Sequence, residues 1–399
     1  MAIMLPLAGC SSDEEEITQV MDAKEVYGCN VLNVYNAGEY IGEEVIPNFE
    51  TMYNVKINYD TFESNEMMYT KLLGGNSYDV LVPSDYMIEQ LLSEDLLQPL
   101  DLSKIPNLEN VNPAVLEMQK AFDPTQEYSV PYFWGSVGLV YNNQTVSEDE
   151  IREKGWEILK DPKYRGKIFY YDSQRDGFMI AFKALGYSMN TDNEEEIQAA
   201  YKWLREMNNT MEPSYVTDEV LDEMVNGNKD IAIMYSGDAT YAMYENMDLG
   251  WIEPHQGTNI WVDAMVIPKN ASCAPLANEF INYCISEDVQ FENTEYVAYT
   301  PVLADVAEEM YGPDGDFFEI TAYEPRTGYE KDEVFHYNPR LKERLSDLWN
   351  KVKIATPSTD TGEQKSGISV SDILTVLLMI AIAGGSGWFV WKQFSHHKH

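Results

Sequence analysis

The amino-acid sequence predicts an α/β protein with two sheets, followed by one C-terminal transmembrane helix. Short apolar runs alternate with helical stretches from residue 29 to residue 285, a pattern typical of parallel strands joined by helical crossovers. Two sheets of moderate size fit a chain of 399 residues better than one. An uncharged stretch at residues 373–391 has the length that crosses a hydrocarbon core of ~30 Å.

The first αβ region begins at Cys29 and alternates strand and helix in the order βαβαβ. Its apolar pattern predicts strands at residues 29–35, 55–62 and 78–82, and helices at residues 42–53 and 65–73. Strands connected in this way predict a parallel sheet with right-handed crossovers.

A second αβ region begins near Tyr141. Its pattern predicts strands at residues 167–171, 230–234 and 260–268, and helices at residues 178–185, 194–207, 214–225 and 275–285. On the last of these helices Leu276, Phe280 and Cys284 share one apolar face. These elements predict the second sheet.

The composition favours a small cationic ligand over a nucleic acid or a metal. The chain has 27 Lys and Arg against 67 Asp and Glu, a net charge of −40 that disfavours nucleic acid and anionic lipid. Solubility outside the cell is an alternative reason for this acidity. The four cysteines lack the close spacing of zinc sites, and His255 and His336 are the two histidines before the C-terminal tail. We therefore expect no metal, no cofactor and no catalytic residue.

Both ends of the chain carry features typical of attachment to a membrane. An apolar run ends in Leu7-Ala8-Gly9-Cys10 and resembles a bacterial lipobox, whose cysteine becomes lipidated. The run is short and lacks basic residues, so we interpret residues 1–27 as a truncated lipoprotein signal with an acidic tether. At the other end we expect a polar linker at residues 356–369, a transmembrane helix at residues 370–392 and a short basic, His-rich tail at residues 393–399. The predicted location is the extracytoplasmic face of a bacterial cell membrane.

Acidic side chains follow the predicted strands, at the end of the sheet where open parallel sheets bind ligands. They are Asp85, Asp172, Asp176 and Asp238. Helix N-termini alone suit anions, and carboxylates at these positions reverse the local charge and favour a cation. An Asp in such a place is also a common helix N-cap, which remains the alternative interpretation.

Aromatic rings accompany these carboxylates at Tyr40, Tyr86, Tyr235 and Trp261. A desolvated aromatic face attracts an ammonium group by roughly 0.5–2 kcal/mol, although a Tyr near a strand end often packs into the core. Period-2 alternation places Trp261 and Asp263 on the same face of their strand. Carboxylates spaced between flat rings match a linear diamine or triamine.

Four segments resemble those of the spermidine/putrescine-binding proteins of bacterial polyamine ABC importers, which belong to the type II class of periplasmic binding proteins. The segments are residues 78–84 (YDVLVPS), 130–135 (VPYFWG), 185–188 (LGYS) and 260–263 (IWVD), and the likeness runs from about Asn30 to Lys353. The resemblance implies a non-enzymatic two-lobed fold that closes around putrescine or spermidine for the permease of an importer.

The resemblance also implies the limits of the lobes and the residues of the binding slot. Lobe 1 is expected at residues 28–137 and 264–305, lobe 2 at residues 138–263 and 306–355, with chain crossovers near residues 137–142 and 263–266. The expected slot residues are Tyr40, Ser84, Tyr86, Asp176, Tyr235, Asp238, Trp261, Asp263, Tyr299 and His336. The chain departs from the family at Ala37 and Gly38, where a Trp followed by Ser or Thr is common, and at Ser173, where the spermidine branch has an acid.

Two other functions remain as alternatives at this point. One is a membrane-anchored sensor ectodomain for a cationic ligand, with the terminal span transmitting the signal. The other is a secreted glycosidase that uses paired carboxylates such as Asp172 and Asp176.

Overall fold

The alternation of strands and helices expected from the sequence is present in the computed structural model, which describes residues 19, 21–217 and 219–354. The predicted lipidation site Cys10, the linker, the apolar stretch at residues 370–392 and the tail lie outside the described residues. Among the helices within them, none combines the length and the apolar composition that crossing a bilayer requires.

The described residues form ten strands and fourteen α-helices. The strands are β1 (Val31–Ala37), β2 (Lys56–Phe62), β3 (Val80–Leu81), β4 (Ser129–Asn142), β5 (Ile168–Tyr171), β6 (Ser214–Val216), β7 (Ile231–Tyr235), β8 (Leu249–Ile252), β9 (Ile260–Val266) and β10 (Thr300–Pro301). The helices are α1 (Ala23–Tyr27), α2 (Val45–Tyr53), α3 (Asn65–Leu73), α4 (Asp85–Ser93), α5 (Pro113–Gln119), α6 (Glu148–Lys154), α7 (Gln174–Ala184), α8 (Glu194–Met211), α9 (Val220–Val225), α10 (Ser236–Glu245), α11 (Ala274–Cys284), α12 (Glu287–Val297), α13 (Ala304–Tyr311) and α14 (Pro339–Lys353). Short 3-10 helices at Leu102–Lys104, Pro106–Asn110, Gly155–Lys160 and Pro162–Tyr164 connect some of these elements.

Local capping explains why several helices begin where they do. The Ser64 hydroxyl accepts a hydrogen bond from the backbone N–H of Met67 at 3.2 Å, and α3 covers the predicted residues 65–73. α7 begins at Gln174, four residues before the predicted start, because Ser173 caps it by accepting from the N–H of Asp176 at 3.3 Å.

The helix predicted at residues 214–225 is wrong in its first part. Residues Ser214–Val216 form β6, which pairs in parallel with Phe169, Tyr170 and Tyr171 of β5, and the helix α9 begins only at Val220. The exposed edge of β5 offers backbone hydrogen bonds to a short β-favouring segment, and this tertiary pairing decides its conformation.

The two predicted sheets share one long strand. The strand order is β2-β1-β3-β9-β4-β7-β5-β6, with β8 and β10 also paired to β4. Residues 129–136 of β4 pair with β9, whereas residues 137–142 pair with β7 and β8. We call β1–β3, β9 and β10 with the start of β4 the first half-sheet, and β5–β8 with the end of β4 the second half-sheet.

Two connections join the half-sheets. One is β4 itself, which changes its partner between Ser136 and Val137, next to the predicted crossover at residues 137–142. The other lies between β8 and β9, before the predicted place at residues 263–266, because Trp261 and Asp263 already pair with β4 in the first half-sheet. The limits of the two lobes stay a prediction.

A disulfide joins Cys29, just before β1, to Cys273 at the start of α11. The two Cα atoms are 6.3 Å apart and 244 positions separate them along the chain, so the sequence carried no local signal for this pairing. Cys284 is buried and outside the bond. Disulfides persist mainly in oxidising, extracytoplasmic compartments.

We expect the disulfide to stabilise the fold by about 2–5 kcal/mol, because it restricts the unfolded chain over a long loop. Replacement of both Cys29 and Cys273 by Ala should lower the free energy of unfolding, measured by denaturant titration, and should abolish any response to reductant. Cys284→Ala keeps the bond and should retain the wild-type response to reductant. Equal stability of the double variant and the wild type would contradict this expectation.

Candidate functional site

A cleft of about 1350 Å³ is lined by residues of both half-sheets. It contains nine of the ten predicted slot residues: Tyr40, Ser84, Tyr86, Asp176, Tyr235, Asp238, Trp261, Asp263 and Tyr299. His336 is the tenth, and it lies beside a smaller neighbouring cavity, with its Nδ1 atom 3.3 Å from a carboxylate oxygen of Glu89. The structure therefore brings the predicted acids and rings together and leaves His336 outside them.

Asp263 lies in the middle of β9, where its partner strand β4 and the start of α4 enclose it. The Tyr40 hydroxyl donates a hydrogen bond to its Oδ2 atom at 2.9 Å. Burial raises the pKa of Asp263 to about 6, although hydrogen bonds from Ser84 and Tyr40 act in the opposite direction. With this pKa the carboxylate is mostly ionised near neutral pH, and the Tyr40 hydroxyl fixes its orientation.

Asp176 lies in the first turn of α7 and is 4% exposed. The Tyr235 hydroxyl, at the end of β7, donates to its Oδ2 atom at 2.9 Å. Burial raises the pKa of Asp176, and the nearby Ser173 and Tyr235 hydroxyls and the Arg175 guanidinium oppose that shift. This carboxylate comes from the second half-sheet and faces the same cleft as Asp263.

Asp238 lies in the first turn of α10 and has the same kind of partner. The Tyr299 hydroxyl donates to its Oδ1 atom at 2.9 Å. The preceding residue is Gly237, and a Cβ atom there would lie 2.3 Å from the Tyr299 ring. The glycine therefore makes room for the ring. Asp263, Asp176 and Asp238 are thus each oriented by a tyrosine hydroxyl, and a carboxylate oxygen can accept further hydrogen bonds beyond that one.

Four aromatic rings form a continuous wall of the cleft. The Trp261 ring lies edge-to-face with Tyr299 at 5.4 Å and with Tyr235 at 6.2 Å between centroids, and Tyr299 lies 5.7 Å from Tyr40. Gly135 of β4 permits this packing, because a Cβ atom there would lie 2.4 Å from the Trp261 ring. Such a wall can hold an alkyl chain and attract an ammonium group.

Tyr86 is engaged differently from the other rings. The guanidinium of Arg175, on helix α7, lies 3.4 Å from the centroid of the Tyr86 ring. A cationic side chain of the protein therefore already covers this face of the ring. Glu66 of α3 also approaches Arg175 at 3.7 Å and Lys342 of α14 at 2.9 Å. These contacts connect α3 and α4, which adjoin the first half-sheet, to α7 and α14.

Asp85 is a cleft residue that the sequence left as a common helix N-cap. It is the first residue of α4 and 1% exposed, and its carboxylate accepts hydrogen bonds from the backbone N–H of Tyr86 at 2.6 Å and of Val262 at 3.4 Å. Burial raises the pKa of Asp85 to about 8, and the nearby carboxylate of Asp263 adds to the rise. Its place directly after a strand end was the signal that pointed to it.

Asp172 lines the cleft but its carboxylate is already paired with a cation. The Lys353 ammonium lies 2.7 Å from Oδ1 and 2.9 Å from Oδ2, and the Trp349 indole N–H donates to Oδ1 at 2.9 Å. This carboxylate is therefore not comparable with the three tyrosine-bound acids.

Residues 44–318 match the family of bacterial extracellular solute-binding proteins. The chain is 32% identical to the spermidine/putrescine-binding periplasmic protein of Escherichia coli K12 over 297 residues, which cover 74% of this chain and 83% of that protein.

Solved structures show the same likeness. The spermidine/putrescine ABC transporter substrate-binding protein PotD from Streptococcus pneumoniae is 32% identical, with a TM-score of 0.71 over 81% of this chain and 98% of that one. The TpPotD lipoprotein of Treponema pallidum is 26% identical, with a TM-score of 0.68 over 81% of this chain and 99% of that one.

The burial of Asp85 predicts a pH dependence of stability. The folded protein holds a proton on Asp85 up to about pH 8, whereas an Asp with the ordinary pKa of 3.8 releases it earlier. The free energy of unfolding should therefore fall as the pH rises between these values, by at most about 1.4 kcal/mol per pH unit for one proton. Asp85→Asn should make this slope shallower in denaturant titrations between pH 5.5 and 7.5.

The exposed Asp314 supplies the matched control. Asp314→Asn should leave the slope of the wild type unchanged. A slope that is the same in Asp85→Asn and in the wild type would contradict the assignment of a raised pKa to Asp85.

Proposed function

This chain belongs to the bacterial extracellular solute-binding proteins, and from that membership we propose that it captures a polyamine, putrescine or spermidine, and delivers it to an ABC importer. Relatives and solved structures that bear the names of polyamine-binding proteins support this function. The same likeness confirms a two-lobed α/β fold of the type II class. The relatives are transport proteins that bind substrate, and the chain is not an enzyme.

One observation carries the proposal. Three carboxylates, the buried Asp176 and the half-buried Asp238 and Asp263, line one cleft together with Trp261, and a tyrosine hydroxyl orients each of them. Separate negative charges along a wall of aromatic rings suit a ligand whose positive charges are spaced along an alkyl chain. A net charge of −40 also draws polycations towards the protein.

Closure of the cleft completes the proposed mechanism. The volume of about 1350 Å³ exceeds the roughly 300–1,000 Å³ typical of small-molecule pockets, so a slender polyamine leaves room for the lobes to approach each other. A ligand that contacts Asp263 from one half-sheet and Asp176 from the other favours the closed state, because it makes both contacts only there. The permease of the importer then recognises the closed form.

The two alternative functions receive less support. A glycosidase needs two carboxylates free to act as acid and as base or nucleophile, and Asp172 is held by Lys353 instead. A sensor requires a partner that reads the terminal span, and the relatives named above are transport proteins.

Asp263→Asn should weaken the binding of putrescine at least about tenfold, or roughly 1.4 kcal/mol, because the amide removes the charge that attracts an ammonium group. Isothermal titration calorimetry of the full-length protein measures this change, and the thermal unfolding midpoint checks that the fold is intact. Asp305→Asn, on the exposed face of α13 outside the cleft, is the control and should bind as the wild type does. Unchanged affinity in Asp263→Asn would argue against the assigned slot.

The protein acts outside the cytoplasm, as its relatives do, and we propose that it is held at the membrane there. The lipobox-like segment ending at Cys10 and the uncharged stretch at residues 373–391 support this anchoring. The Treponema relative, whose name includes lipoprotein, is a further support for lipidation.

Cell fractionation tests the two anchors separately. Cys10→Ser or deletion of residues 370–392 should each leave the protein in the membrane fraction, since the other anchor remains. Both changes together should release it. Membrane association of the doubly altered protein would contradict the proposal.

A further inference from the structure

Asn259 lines the cleft but is not one of the ten predicted slot residues. It directly precedes β9 and shares the two-residue alternation of Trp261 and Asp263, so the three side chains face the cleft. The side chain is 2% exposed. Its position also lies on the connection between the half-sheets, where its backbone oxygen accepts a hydrogen bond from the N–H of Val137 at 3.1 Å.

Three buried polar atoms of this cleft have no hydrogen-bond partner within the part of the chain that the structure describes. They are Oδ1 of Asn259, Oδ1 of Asp176 and Nε1 of Trp261. Buried polar groups are nearly always paired in folded proteins, and an unpaired acceptor destabilises the fold. Two unpaired acceptors in the wall of one cleft therefore indicate a place for a ligand that donates hydrogen bonds.

The surrounding contacts place these atoms in one region. Tyr235 bridges Asp176 and Trp261, because its hydroxyl binds the carboxylate and its ring packs against the indole. Thr258, the neighbour of Asn259, has its Oγ1 atom 3.9 Å from the sulfur of Met179, which lies one turn after Asp176 on α7. The first turns of α7 and the segment just before β9 thus pack against each other.

We propose that Asn259 and Asp176 form one subsite that selects an unsubstituted terminal ammonium group of the ligand. This inference rests on the proposed function and adds to it a selectivity for primary amines. A primary ammonium group has three N–H donors, enough for both free oxygens, whereas an N,N-dimethylated ammonium group has one. The pair supplies a single negative charge for a single positive charge, and the amide oxygen adds direction without a second charge.

Isothermal titration calorimetry of the full-length protein tests this selectivity with two ligands of equal charge, putrescine and N,N,N′,N′-tetramethylputrescine. The wild type should prefer putrescine. Asn259→Leu, which keeps the approximate volume but removes the acceptor, should weaken putrescine binding about tenfold and should reduce the preference for putrescine over its methylated analogue at least about threefold. Asn259→Asp retains an acceptor oxygen but adds a negative charge, so it should lose less of the preference for putrescine than Asn259→Leu does.

Asn278 provides a matched control, because it is buried in α11 outside the cleft and both its amide atoms are hydrogen-bonded within the fold. Asn278→Ala should lower the thermal unfolding midpoint and leave the ligand preference unchanged. Ligand-free Asn259→Leu should instead unfold at a higher temperature than the wild type, because it loses an unpaired acceptor, and putrescine should raise its midpoint less. If Asn259 had a purely structural role, Asn259→Leu would instead unfold at a lower temperature than the wild type, and putrescine would raise its midpoint as much as it raises that of the wild type.

The outcomes separate the two claims. Failure of the wild type to bind either amine would overturn the proposed function and, with it, this subsite. Tight binding of putrescine by the wild type with the same affinity and preference in Asn259→Leu would overturn the subsite alone.

Discussion

The antiparallel pairing of β4 with β9 is the constraint on which the cleft depends. It brings Trp261 against Gly135 and places Asp263 beside the start of α4. The same β4 continues into the second half-sheet, so the floor of the cleft and one connection between the half-sheets belong to one piece of backbone. A change in the angle between the half-sheets must therefore involve the backbone at Ser136 and Val137, next to Gly135, which packs against Trp261.

Carboxylates buried in this way are unfavourable for the free protein. Burial raises the pKa of Asp85, Asp176 and Asp263, which means that the ionised forms are less stable there than in water. Tyrosine hydroxyls compensate part of that cost for Asp176 and Asp263 and fix the orientation of both acids, and the proposed polyamine would supply the missing positive charge. Under the proposed function, the acids that destabilise the free protein are those that favour its complex with the polyamine.

The sequence predicted six of the ten strands that the structure describes, because their signals are local, and it missed the long strand β4. Helix α3 has a capping Ser64 and regular spacing, and period-2 alternation correctly paired Trp261 with Asp263. Long-range contacts carry no such pattern. The strand β6 depends on the edge of β5, and the place of His336 beside Glu89 depends on how a distant segment packs. The stacking of Arg175 on Tyr86 and the unpaired oxygen of Asn259 likewise depend on contacts between distant segments, so the sequence pattern could not predict them.

The covalent link between Cys29 and Cys273 also constrains the order in which the chain matures. The first half-sheet is built from separate stretches of sequence, and β9 and α11 come after the whole of β5–β8. During vectorial export the thiol of Cys29 emerges long before that of Cys273. The segment between these two cysteines must therefore have crossed the membrane before the disulfide can form.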